Sequence, residues 1–274
     1  MTTPADDPVE QALELLRTGR YAEGWPLFEA RTSRTKGPYM RCGLPEWQGE
    51  SLAGKRLFLA GEQGIGDEVQ FGRFVPRLKA LGAHVIASVL PMNQRLFQQL
   101  GADVVMDRLV RNDLRADVTV GLLSLPLRLG CFHEDDFGRQ PYLRAPSPRA
   151  GGGVGVVWRG RPEHGNDANR SLPSPDLLLR LPNARLLEPQ GDTIESLNDL
   201  AGLDALVTVD TSWAHLAGAL GLPCHILLSR ISTDWRWGVN RSDSPWYESV
   251  RLYRQRIPGV WDHPIEDVRR ALSE

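Results

Sequence analysis

The stretch LVTVDTSWAHLAGALG, residues 206–221, decides the reading of this chain. Leu206, Val207 and Val209, with Thr208 between them, are β-formers, and an unbroken run of this kind suits a parallel strand covered on both faces. The run stops at Asp210 and Thr211, two residue types that favour a helix N-cap. From Trp213 onward, Ala, Leu and Gly permit a helix packed closely on the sheet. The first turn of such a helix offers free backbone N–H groups and the positive end of a dipole, which together favour a phosphate. Ala214 and His215 stand in that turn, and His215 can point at the same ligand.

The rest of the chain repeats this strand-to-helix rhythm. Strand signals fall at 56–60, 84–90, 103–106 and 117–120, with helical signals from the GEQGIGDE turn to 81 and over 93–100. After the linker-like APSPRAGGG (145–153) the rhythm restarts, with strands at 154–158, 184–187, 205–209, 225–228 and 251–253 and a closing helix at 264–272. Alternating β and α signals mean a parallel sheet wound on both faces, here twice. Ahead of them, residues 8–33 read as two short helices around Gly19-Arg20, and GRYAEGWPLFEAR resembles one helical hairpin of a tetratricopeptide repeat. A lone repeat cannot bury its own face, so it packs on the rest of the chain or on a partner. The expected division is 1–49 for the hairpin and connector, 50–147 for a first Rossmann-like domain and 148–274 for a second.

Composition narrows the classes. With 274 residues and 41% hydrophobic content the chain can bury two modest cores, and it lacks the long apolar run of a membrane span. A formal charge of -2 argues against a nucleic-acid binder, whose footprint is strongly basic. The acidic start MTTPADDPVEQ is unlike a secretory signal, and Cys42, Cys131 and Cys224 lie too far apart for a disulfide framework or a zinc site. Both features point to a cytoplasmic protein.

Three segments carry chemistry. In GEQGIGDEV (61–69) the glycines do not have the dinucleotide spacing, and Leu90-Pro91 stands where a ribose-binding acid would follow the second strand, which disfavours a nicotinamide enzyme. Asp67 there is either a helix-start carboxylate or a general base; the residues leave both open. In VGVVWRGRPEHGNDANRS (154–171), Trp158 ends a strand and Arg159, Arg161 and Arg170 follow, either as a diphosphate clamp or as a solvated loop. In SRISTDWRWGVNRSDSPWY (229–247), Trp235, Trp237 and Trp246 make a satellite core or a flat platform for a base or sugar ring. There is no G-x-S-x-G, H-E-x-x-H, P-loop, EF-hand or D-x-D triplet.

Together, GEQGIGDEVQF, VGVVWRG followed by RSLP, VDTSWAHLAGALG, and DWRWG leading to DSPWY resemble the glycosyltransferase-like domains found behind tetratricopeptide repeats in bacteria. These are relatives of the lipopolysaccharide heptosyltransferases and, more distantly, of the protein O-GlcNAc transferases. The resemblance implies a GT-B architecture, two facing Rossmann-like doubly wound domains of α/β class, the first for the acceptor and the second for the donor. It implies inverting, metal-independent transfer of a hexosyl, heptosyl or related group from a nucleotide sugar to a protein or glycan-precursor acceptor, with no cofactor. Asp67 then occupies the place of the catalytic base. Trp158, Arg170, Asp210, Thr211, Ala214 and His215 would hold the donor nucleotide and diphosphate, while Glu62, Gln63, Gln70 and Trp235 would line the acceptor side or cleft. The alternative is a non-catalytic GT-B-like module that binds a nucleotide sugar or a partner.

Overall fold

The computed structural model describes residues 7–35, 43–108 and 115–273. Cys42 and the first six residues of the acidic start lie outside the described residues. The chain forms two compact units, Met1–Gly138 and Arg139–Glu274. No helix among the described residues is long and apolar enough to cross a membrane.

The first unit opens with a helical hairpin, α1 (Pro8–Arg17) and α2 (Tyr21–Phe28), and a short α3 (Thr32–Thr35). Asp7 caps α1 by accepting from the Val9 N–H at 2.8 Å. The apolar face read from the sequence is buried against this same unit: Tyr21, Trp25 and Phe28 are all inaccessible. The Trp25 indole N–H donates to the Cys131 carbonyl at 2.8 Å, and Tyr21 meets Phe137 edge-on at 4.8 Å. The lone hairpin therefore packs on its own chain.

A four-stranded parallel sheet follows, built from β1 (Arg56–Ala60), β2 (His84–Val89), β3 (Val104–Asp107) and β4 (Val118–Gly121) in the order β3-β2-β1-β4. The connecting helices are α4 (Ile65–Gly72), α5 (Val75–Ala80), α6 (Gln94–Gln99) and, after β4, α7 (Leu125–Arg128). The sequence predicts one helix up to 81; the structure breaks it between α4 and α5. Pro76 in the first turn of α5 has no N–H to continue the ladder.

The second unit holds a five-stranded parallel sheet, β5 (Val154–Val157), β6 (Ala184–Leu186), β7 (Ala205–Val209), β8 (Cys224–Leu228) and β9 (Val250–Arg254), ordered β6-β5-β7-β8-β9. Its helices are α8 (Asp167–Arg170), α9 (Thr193–Leu200), α10 (Ser212–Leu220) and α11 (Asp262–Ala271). One face buries Val156, Val207, Val209 and Leu227 under Leu178, Trp261, Ile265 and Val268. The 145–153 stretch, read as a linker from its Pro and Gly content, is laced into this unit. Tyr142 and Leu143 donate to the Ala219 carbonyl at 2.9 and 3.0 Å, and Arg149 donates to that of Asn198 at 2.9 Å. The division accordingly falls ahead of it, at 138/139.

Each sheet reverses its winding direction once. In the first unit the reversal lies between β1 and β4, where Ala60 is level with Gly121. In the second it lies between β5 and β7, where Val157 is level with Thr208. In open parallel sheets the crevice at such a point, outside the carboxyl ends of the strands, is where ligands bind.

In the first unit that place is taken by the chain itself. Arg31, following α2, is buried and donates to both oxygens of Glu62 at 2.9 and 2.7 Å and to Ser124 Oγ at 2.8 Å. Glu62 follows β1 and Ser124 follows β4, so one guanidinium bridges the two sides. Ser33 Oγ and the Leu123 N–H complete the carboxylate's partners at 2.9 and 3.2 Å. Removing one partner of a buried ion pair strands the other charge at a cost of about 3–5 kcal/mol. Arg31→Ala is thus expected to lower the first unit's unfolding free energy by about that amount, read by urea titration with tryptophan fluorescence; a change under about 1 kcal/mol, the range of exposed pairs, would show that the bridge carries no such weight.

Candidate functional site

The first unit presents the Gly-rich turn 61–64 at the end of β1. Gln63 there is exposed and adopts a left-handed backbone, φ 54°. Asp67 is the third residue of α4, and its Oδ2 accepts from the Gly64 N–H at 2.8 Å, closing the helix start. The cap role is therefore present in the structure, with the carboxylate half-buried. Glu62 is committed to Arg31, and Gln70 lies buried on the inner side of α4.

Glu68 is a functional-looking residue that the sequence did not single out. It is fully buried beside Asp67, and burial pushes its proton affinity up against the opposing pull of Arg108. Its oxygens accept from the Leu90 N–H at 3.0 and 3.1 Å, from Asn93 Nδ2 at 2.7 Å and from Arg108 Nε at 2.8 Å. The only local signal was the acid doublet in GDEV.

The second unit brings the loops after β5 and β7 together at its reversal point. The loop after β5 begins with Trp158, whose ring carries the Arg159 guanidinium at 4.7 Å. It then folds back so that Arg170, at the end of α8, reaches the turn after β7. Arg170 Nε pairs with Asp167 Oδ1 at 3.0 Å, and Nη1 donates to the Asp210 carbonyl oxygen at 2.8 Å. A Cβ at Gly160 would run into that Arg170–Asp167 pair, which explains the glycine.

Thr211 is the N-cap residue of α10, but its side chain does not cap the helix; Oγ1 lies 3.1 Å from Thr208 Oγ1 instead. The positive end of α10 thus stands beside the Arg170 guanidinium. Ala214 is buried inside α10. His215 is nearly buried, its Nδ1 3.0 Å from the Tyr247 hydroxyl and its ring stacked on Trp237 at 5.2 Å. Tyr247 reaches it because Gly218 offers no Cβ to the tyrosine ring.

The tryptophans of 229–247 form the satellite core. Trp237 and Trp246 are fully buried, and Trp235 is 7% exposed, edge-on to Trp246 and capped by Arg236 at 4.4 Å. The face offered as a sugar platform is covered by the chain's own guanidinium. Asp234, also missed in the sequence, pairs with Arg236 at 3.1 Å and adds its charge to the surroundings of Asp210.

The Asp210 carboxyl is pushed up to about 6, first by burial and then by the Asp234 charge; Trp237, Arg170 and Arg236 pull the other way. Its proton is therefore held more tightly in the folded unit than in the unfolded chain, where the group titrates near 3.8. The resulting stability is fully present below about 3.8 and is lost as pH rises through about 6. Asp210→Asn removes this dependence, so the second unit of the wild type should lose stability relative to the variant across that window. Parallel urea midpoints for the two proteins from pH 4 to 7 would contradict it.

Known proteins bear on the fold. No family model matches the chain. Protein FlbA of Caulobacter vibrioides (strain ATCC 19089 / CIP 103742 / CB 15) is 27% identical over 330 residues, taking in 96% of this chain and 54% of that protein. The chain spans about half the length of the curated relative it matches. Among solved structures, E. coli heptosyltransferase WaaC with ADP matches with a TM-score of 0.53 and 12% identity, over 80% of this chain and 99% of that one. The same enzyme with ADP-2-deoxy-2-fluoro heptose matches with a TM-score of 0.50 at 12% identity over the same shares. The likeness shows a shared fold, in keeping with the two-unit α/β reading.

Proposed function

We propose that this chain is a glycosyltransferase that binds a nucleotide sugar in its second unit and transfers the sugar to a hydroxyl of a protein or glycan-precursor acceptor. The observation that carries the reading is the Arg170 guanidinium seated on the Asp210 carbonyl beside the uncapped start of α10, at the sheet's reversal point. A guanidinium and a helix N-terminus converging there suit the diphosphate of a donor. The fold is shared with a heptosyltransferase solved with ADP and with an ADP-linked sugar analogue, which supports a nucleotide sugar as the ligand.

In this reading Asp67 takes the proton of the acceptor hydroxyl. The oxygen attacks the anomeric carbon, the bond from that carbon to the diphosphate oxygen breaks, and the configuration inverts. The negative charge that leaves on the diphosphate is met by Arg170 and the α10 dipole, so the step draws on no metal. His215, held by Tyr247 and Trp237, is a donor contact rather than a base.

One observation favours a second reading, a nucleotide-sugar-binding module without transfer: Asp67 Oδ2 is already engaged as a helix cap. One experiment separates the two. A melting-temperature panel of ADP-, UDP-, GDP-, dTDP- and CMP-linked sugars identifies the donor, since a ligand at about 100 times its Kd adds about 2.7 kcal/mol of stability. Asp67→Asn should keep that shift and lose transfer by about 10²- to 10⁴-fold, while Arg170→Ala should weaken donor binding roughly tenfold to a hundredfold. Transfer by the Asp67 variant at the wild-type rate would remove it as the base. A panel in which no donor moves the melting temperature would remove the nucleotide-sugar site altogether.

A further inference from the structure

The turn that carries Asp67 is of a kind that ought to be soft. It has glycines at both ends, at 61 and 64, and a non-glycine residue between them in a left-handed backbone. What fixes it comes from two strands away. Arg108 follows β3, the edge strand of the first unit's sheet. Its Nη1 donates to the Gln63 carbonyl at 2.8 Å, its Nη2 to the Glu62 carbonyl at 2.9 Å, and its Nε to Glu68 Oε1 at 2.8 Å.

Glu68 in turn is pinned by the Leu90 N–H just after β2 and by Asn93 Nδ2. One guanidinium and one buried carboxylate thus tie the ends of three adjacent strands to the first turn of α4. The fit is close: a Cβ at Gly61 would collide with Glu68 Oε1 and lie 2.7 Å from the Ser88 carbonyl and 3.1 Å from Arg108 Nε.

Stability alone does not account for this arrangement. Burying a charged pair is often no better than burying a well-packed apolar pair of the same volume, because desolvation offsets the attraction. What the pair does that an apolar contact would not is satisfy two consecutive turn carbonyls and fix the helix rotation through the residue next to Asp67. A planar fork of donors suits that task, and an ammonium does not.

We infer that Arg108 and Glu68 form a strap that positions Asp67, holding the Gly61–Gly64 turn at one end and the first turn of α4 at the other. Both act through Asp67, as positioning residues. The inference rests on Asp67 being the base of the proposed transfer.

Arg108→Ala, Arg108→Lys and Glu68→Gln in the full chain test it. Hydrogen exchange in Arg108→Ala should speed up about tenfold at the Gly64 and Glu68 amides, which donate to Asp67 Oδ2 and the Gly64 carbonyl, while those of the β1 and β2 strands keep their protection. With the donor identified by the melting panel, kcat should fall roughly tenfold to a hundredfold while the donor KM stays within about twofold. Lysine restores part of kcat at most. Glu68→Gln, which keeps the shape of the side chain and loses its charge, serves where Arg108→Ala does not fold, and should loosen the same amides.

Wild-type exchange in the turn would overturn the inference. So would acceleration spread over the whole first unit, or a loss expressed in donor KM. If the wild type turns over no donor, the transfer reading falls, and the exchange pattern still decides whether the strap holds the turn.

Discussion

The architecture of both units turns on one contact: an arginine guanidinium against backbone carbonyls just beyond a parallel strand. A strand's last carbonyls leave the ladder and need a donor from elsewhere, water or a side chain. In the first unit Arg108 serves the carbonyls of Glu62 and Gln63; in the second Arg170 serves that of Asp210. Each arginine arrives on a different connection from the carbonyl it serves, and each is itself oriented by an acid, Glu68 or Asp167. The geometry of these turns is therefore imposed in part from another connection. For the proposed transfer, polar groups held this way are aimed before any substrate arrives, as stabilising a leaving group requires.

The strands were the most legible part of the sequence. Runs such as 56–60 and 205–209 are apolar on both faces, and the structure places β1 and β7 at those positions. Helices were less legible wherever proline intervened, as at Pro76, since the 3.6-residue pattern survives a break that the backbone does not. The linker composition of 145–153 is a related case. Residues 145–153 have loop composition, yet Arg149 within them and Tyr142 and Leu143 before them are fastened by backbone hydrogen bonds to Asn198 and Ala219 that no local pattern announces.

The candidate site was half legible. Asp210, Thr211 and Arg170 were readable because a strand end, a cap pair and an Arg-rich loop each leave a short-range mark, and the structure brings Arg170 to the Asp210 turn. Arg108 and Tyr247 leave no such mark: their partners are separated from them by 40 and 32 positions, and only the folded chain reveals them. Glu62 and Trp235 show partners that the sequence does not announce. A carboxylate in a Gly-rich turn and a tryptophan in a loop look available in sequence, whereas here the first is taken up by Arg31 and the second is covered by Arg236.

The Arg31–Glu62 bridge also distinguishes the two sheets. The two sheets are of one kind, and each could in principle open a nucleotide crevice where its winding reverses. In the first, an arginine delivered by the helical hairpin already supplies the positive charge, and a carboxylate and a hydroxyl already occupy the opposing walls. A diphosphate approaching there would meet a neutralised, filled gap lined by Glu62. The chain has thus made its two units unequal from within: the reversal point of the first sheet is filled by its own ion pair.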